Sequence, residues 1–149
     1  MLQTKKVSNV IRYLGLVIFV LLIISVVATN SVSAAGNYHD TLYEYIEGGA
    51  TFTQVTTPLR EKWDYTSSYA YNMKSNTDID KVKVGGSEGP TLQDVVYDCT
   101  YGSPRSLLMG RSGYFPNLVK EREYDYACLT FEFYKVGAYL YIWWSPDSI

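Results

Sequence analysis

The sequence reads YDYACLTFEFYKVGAYLYIWW between residues 124 and 144, and this stretch has the strongest strand pattern in the chain. Leu129, Phe131 and Phe133 alternate with polar residues, which is the period-two pattern of a strand with one buried face. Val136 and Gly137 then interrupt the pattern, and a glycine suits a turn position that requires a positive φ. We predict strands over 124–135 and 138–144, joined as an antiparallel β-hairpin.

Further runs rich in Thr, Val, Tyr and Phe precede this pair and are separated by turn residues. They predict strands over 51–57, 64–73, 79–84, 92–101 and 106–109. Seven short strands favour a mostly β fold, a small antiparallel β-sandwich or β-sheet domain over residues 50–149. A chain of 149 residues has room for one such domain.

The first 34 residues have the three zones of a signal peptide, which we expect to form a helix. A basic start with Lys5, Lys6 and Arg12 leads into an apolar run from 13 to 28, and a small polar stretch follows. We expect cleavage after Ala34, with Ala35 as the second choice and retention as a membrane anchor as the alternative. The protein is therefore expected to be secreted, or else anchored on the extracellular side. The membrane would be contacted only through this N-terminal segment before cleavage.

Cleavage after Ala34 leaves residues 35–149, of which we expect 35–49 to be a flexible leader. The three basic residues are lost with the signal, so Lys plus Arg falls from 13 to 10 against 15 acidic residues. A net charge near −5 argues against a nucleic-acid partner, which requires a concentrated basic surface. It also disfavours lysis of anionic membranes by charge attraction.

Cys99 and Cys128 both lie in the exported part of the chain. Because disulfides persist in oxidising compartments, we predict one disulfide between them. A loop of this length would add roughly 3 to 4 kcal/mol of stability by the chain-entropy model.

The residue types that carry catalysis or bind metals are scarce. His39, the only histidine, lies in the expected leader, which is a poor position for a general base. Asn76, Asp78 and Asp80 alternate as oxygen ligands of calcium would, but Lys81 stands where a helical calcium loop needs glycine. We therefore expect no catalytic residues, no metal and no cofactor.

Aromatic residues are the strongest remaining signal, with 15 Tyr, 5 Phe and 3 Trp. A small core cannot bury all of them, so some are expected at the surface, where rigid amphipathic rings favour binding. For any one of them, core packing is the default interpretation and a binding surface is the alternative. The candidate binding face comprises Trp63, Tyr65, Tyr69 and Tyr71, which would share one face of a strand, together with Trp143 and Trp144.

Residues 63–74, WDYTSSYAYNMK, and the later run Val82, Lys83, Val84 resemble the lactococcin 972 bacteriocin family. Glu47, Gly48 and Gly49 are similar to the mature N-terminus of that family. The resemblance implies a small exported β-sheet protein that acts against competing bacteria at the cell wall. We therefore expect a secreted, bacteriocin-like antibacterial protein that binds a cell-wall component or envelope protein of bacteria without catalysis. The alternative is a cell-envelope binding or accessory module with no killing activity.

Overall fold

A computed structural model describes residues 36–46, 49 and 51–148. The predicted signal segment at 1–34 lies outside the described residues. Within the described ranges, no helix has the length and apolar character needed to cross a membrane.

The described chain is built from strands, which is consistent with the β-rich sequence pattern. The bounds are β1 Thr41–Ile46, β2 Phe52–Thr56, β3 Arg60–Glu61, β4 Ser68–Asn72, β5 Ile79–Ser87, β6 Tyr97–Asp98, β7 Arg105–Leu107, β8 Ser112–Phe115, β9 Tyr126–Tyr134 and β10 Tyr139–Ser145. Each of the seven predicted strands has a counterpart, while β1, β3 and β8 were not predicted. β1 lies within the segment 35–49 that the sequence indicated as a leader.

The strands form two antiparallel sheets. Sheet A has the order β1-β10-β4-β8, and sheet B has the order β2-β9-β5-β6, with β3 also pairing with β9 and β7 with β5. The mostly β, sandwich-like architecture expected from the sequence is confirmed at this level.

The core lies between the two sheets because each contributes the apolar side of its alternating strands. Sheet A contributes Leu140, Ile142 and Trp144 from β10, and sheet B contributes residues such as Phe131 and Phe133 from β9. The opposite side chains of β10 point away from this core, which leaves sheet A with an outer face.

The predicted C-terminal hairpin is wrong, although both of its strands exist. β9 pairs with β2, β3 and β5, whereas β10 pairs with β1 and β4. The connection between them therefore crosses from one sheet to the other. Gly137 does have a positive φ of 66°, so the predicted turn at this glycine is present. The two strands that it joins pair with other strands and not with each other.

The predicted disulfide between Cys99 and Cys128 is also wrong, since both cysteines are free and buried. Asp98 and Cys128 both pair with Gly85, on opposite sides of β5. Cys99 directly follows Asp98, so about two strand spacings, or 9 to 10 Å, separate the strand positions of the two cysteines. The Cα atoms of bridged cysteines lie within about 7 Å of each other.

The two thiols also face opposite sides of sheet B. Cys99 donates its backbone N–H to Val84 O at 2.8 Å and belongs to the core. Cys128 lies opposite Gly85, on the outer side, where the Val96 side chain covers it. Burial raises the pKa of Cys128 to about 12, so this thiol stays protonated and unreactive near neutral pH.

Candidate binding face

Strand pairing places six aromatic side chains on the outer side of sheet A. Alternation along β10 turns Tyr139, Tyr141 and Trp143 away from the core, since Leu140 and Ile142 are buried. Trp143 lies opposite Tyr71 of β4, and Tyr69 lies opposite Tyr114 of β8. Because directly paired residues project to the same side of a sheet, the rings form one continuous surface. We call this set the outer aromatic face: Tyr69, Tyr71, Tyr114, Tyr139, Tyr141 and Trp143.

Contacts between neighbouring side chains fix the shape of this face. The ring centres of Tyr69 and Tyr114 are 5.4 Å apart, and those of Tyr139 and Tyr141 are 5.9 Å apart. Trp143 donates its indole N–H to the sulfur of Met73 at 3.2 Å. These contacts hold five of the six rings in place, while Tyr114 remains about half exposed, at 54%.

The structure separates the six aromatic residues that the sequence grouped as a binding face. Tyr69, Tyr71 and Trp143 do lie on the outer aromatic face. Trp63 and Tyr65 are exposed, but they lie in the loop that precedes β4 and not on the strand itself.

Trp144 takes no part in the outer aromatic face, because it is 1% exposed within the core. The guanidinium of Arg60 lies 5.3 Å from the centre of its ring.

Sequence reasoning missed Tyr114, Tyr139 and Tyr141. The alternation of Tyr139 and Tyr141 with Trp143 was a usable signal for two of them. Tyr114 is brought in only by the pairing of β8 with β4, which the sequence does not indicate.

A cavity of about 230 Å³ lies at one end of the outer aromatic face. Its lining shares Tyr69 and Tyr114 with the face and adds Tyr38, Asp40, the last residue of β10, Ser145, and the following residues Asp147 and Ser148. The hydroxyl of Tyr38 donates to Asp64 Oδ2 at 3.2 Å. Burial raises the pKa of Tyr38, and the carboxylates of Asp64 and Asp147 raise it further.

A buried ion pair forms the floor of this region. The Lys62 ammonium donates to Asp147 Oδ1 at 2.9 Å, to Pro146 O at 2.8 Å and to Thr66 O at 2.7 Å. The Lys62 and Asp147 side chains are both fully buried. All three ammonium hydrogens therefore have acceptors, as a buried charge requires.

Asp147 also accepts backbone hydrogen bonds from Asn37, at 2.5 Å, and from Trp63, at 3.0 Å. Burial alone would raise the pKa of Asp147, but the hydrogen bond from Lys62 and those from these amides outweigh it and lower the pKa. The ion pair thus connects three parts of the chain behind the aromatic rings: the segment at Asn37, the loop at 62–66 and the residues that follow β10.

The outer side of sheet B carries a different, polar surface. Glu132 on β9 accepts a hydrogen bond from Lys83 and lies 3.6 Å from the Lys81 ammonium. The hydrogen bond from Lys83 lowers the pKa of Glu132, and the same bond raises the pKa of Lys83. A cavity of about 470 Å³ opens beside Lys83 and Thr130 under the 88–96 segment.

Two of the three residues that resemble calcium ligands in sequence, Asn76 and Asp78, have structural partners for their side-chain oxygens. Asn76 Oδ1 accepts the backbone N–H of Tyr139 at 3.0 Å, and Asp78 Oδ1 accepts that of Met109 at 2.7 Å. Within the described residues, no group of three or more His, Cys, Asp or Glu side chains is placed to hold a metal ion.

Comparison with known proteins gives one family match. The family DUF2712, described as a protein of unknown function, matches residues 30–148 and so covers most of the chain. No curated protein and no solved structure matches the chain.

Proposed function

The chain belongs to the DUF2712 family, and we propose that this member is a secreted, non-catalytic protein that binds a polymer of the bacterial cell envelope. The observation that carries the proposal is the outer aromatic face. Six rings on three adjacent strands give a rigid surface that loses little conformational entropy on binding.

The proposed occupant is an extended cell-wall polymer that lies along the sheet. The rings of β10 run from Tyr139 through Tyr141 to Trp143, so the face is elongated along one strand. Tyrosine and tryptophan offer flat apolar surface together with hydrogen-bonding groups at their edges. Such side chains suit a ligand that is itself amphipathic, as the sugar chains of a cell wall are.

The signal-peptide features of residues 1–34 support an envelope ligand, because an exported protein would meet the cell envelope. Antagonism of competing bacteria is the activity that the resemblance to lactococcin 972 implies. In this proposal the same outer aromatic face would hold the target, and inhibition would follow from binding without a catalytic step.

Binding to isolated cell walls tests the proposal. We expect wild-type protein to sediment with walls and the double variant Tyr71→Ala, Trp143→Ala to stay in solution while it keeps its fold. A matched control is Tyr134→Ala, because Tyr134 is equally aromatic and 63% exposed but lies on β9 of the other sheet. Equal sedimentation of wild type and the double variant would overturn the proposed face.

A growth assay on a panel of bacteria separates the two roles that remain. Inhibition that the double variant loses supports the antagonist. Wall binding without inhibition supports a cell-envelope accessory module that uses the same surface.

A further inference from the structure

The cavity at the end of the outer aromatic face combines aromatic rings with a carboxylate. Tyr38, Tyr69 and Tyr114 contribute rings to its lining, and Asp40 contributes a carboxyl group. The faces of aromatic rings carry partial negative charge, so a cation placed over them is attracted. Several rings beside an acidic side chain are the arrangement by which proteins bind ammonium groups.

The carboxylate of Asp40 is available to a ligand. Asp40 is exposed, and no close ion pair of the described residues includes it, although the Arg60 guanidinium interacts with it electrostatically at longer range. The remaining acidic group in the lining, Asp147, is engaged by Lys62.

The basic groups nearest the cavity are already occupied. The Lys62 ammonium has three protein acceptors. Arg60 donates to Trp144 O and to Asn37 Oδ1, each at 3.0 Å. An anionic ligand would therefore find no free positive partner in this lining, whereas a cation would find Asp40.

The size of the cavity limits what it can hold. At about 230 Å³ it is smaller than the ~300 to 1,000 Å³ of pockets that enclose a drug-sized molecule. It fits one head group, while the remainder of a longer ligand would lie along the face that Tyr69 and Tyr114 share with the cavity.

We propose that the cavity lined by Tyr38, Asp40, Tyr69 and Tyr114 binds an ammonium head group carried by the envelope polymer. The inference rests on the proposed function, because it names the chemical group that this same face would recognise. The head group is either methylated or a primary ammonium, since both carry the charge that the rings and Asp40 attract.

Small probes test the cavity without the polymer. Choline represents the methylated ammonium and ethanolamine the primary one, while 3,3-dimethylbutan-1-ol replaces the choline nitrogen with carbon and has no charge. Titration of the purified protein, followed by NMR, gives the affinity of each. We expect one of the two ammonium probes to bind roughly tenfold more tightly than the neutral isostere, because the positive charge interacts with both the rings and Asp40.

Two variants locate the binding. Tyr114→Ala should weaken the bound probe by roughly 2- to 30-fold, and Asp40→Asn by roughly 2- to 5-fold. Both side chains are exposed, so both variants should fold, and Tyr134→Ala should bind as wild type does. Equal binding of the neutral isostere, binding of neither ammonium probe, or full affinity in both cavity variants would overturn the inference.

Wall sedimentation is then repeated in the presence of choline or ethanolamine, whichever binds more tightly. This experiment distinguishes the inference from the proposed function. Wall binding that needs Tyr71 and Trp143 but does not respond to the ammonium probe overturns only the inference. Probe binding in the cavity, without any wall binding, overturns the proposed function and the envelope polymer as the carrier of the group, while the ammonium site itself stands.

Discussion

The buried ion pair behind the aromatic face gives a sharp prediction about stability. Replacing Asp147 with asparagine keeps the size of the side chain but removes its charge. The Lys62 ammonium is fully buried, so the variant removes its close counter-charge and leaves only the carboxylate of Asp64, 3.9 Å away. The new amide also directs N–H donors toward a site where Lys62, Asn37 and Trp63 already donate.

Breaking one partner of a buried pair costs about 3 to 5 kcal/mol. We expect Asp147→Asn to lower the free energy of unfolding by that amount, out of the roughly 5 to 15 kcal/mol that a domain possesses. At about 4 °C per kcal/mol for a domain of this size, Tm should fall by roughly 12 to 20 °C.

Urea denaturation of wild type and variant measures the loss directly. The matched control is Asp125→Asn, which removes one partner of the pair with Lys120 at the same distance of 2.9 Å. The Asp125 side chain is 68% exposed, so its loss should cost less than about 1 kcal/mol. A cost for Asp147→Asn no greater than that of the control would refute the reasoning.

The pH dependence gives a second check on the same pair. Folding lowers the pKa of Asp147. Its carboxylate therefore makes its full contribution to the free energy of unfolding above the unfolded-state pKa of about 3.9. The contribution is lost as pH falls through the lower folded value. The difference between wild type and variant should therefore be constant near neutral pH and shrink below about pH 4.

Three further predictions concern the core and the cysteines. Trp144→Ala should lower the free energy of unfolding by about 3 to 5 kcal/mol in urea denaturation, since the ring is buried; a loss below 1 kcal/mol would contradict its core position. Thiol titration should find Cys99 and Cys128 unreactive in native protein and both reactive in urea, and a mass two hydrogens lower without reductant would contradict the free thiols. Gly86→Ala should cost about 1 to 3 kcal/mol by overpacking, because the new Cβ would lie 2.7 Å from the Tyr124 ring; unchanged thermal stability would argue against this close packing.

Local patterns indicated much of the β architecture, because alternation is a property of each strand by itself. The alternation pattern predicted a strand incorrectly where a side chain forms a local hydrogen bond with the backbone in place of strand pairing. Asp64 Oδ1 accepts the backbone N–H of Thr66 at 2.8 Å, which favours a turn. The predicted strand at 64–73 therefore begins only at Ser68, and Trp63 and Tyr65 are excluded from its face.

The remaining errors concern which strands become neighbours. β5 lies between the segments that carry Cys99 and Cys128, and nothing local to either cysteine indicates this. In the same way, β1 depends on pairing with β10, whose register places Leu42 opposite Trp143. The candidate site was predicted in part for the same reason: Tyr71 and Trp143 were named, but their adjacency and the addition of Tyr114 come from tertiary pairing.

Chemical-shift mapping with solubilised cell-wall fragments tests the central claim most directly. The account predicts that added fragments shift the signals of Tyr71, Tyr141 and Trp143 on the outer aromatic face. Shifts confined to Lys83 and Glu132 on the outer side of sheet B, or none with any fragment, would contradict it.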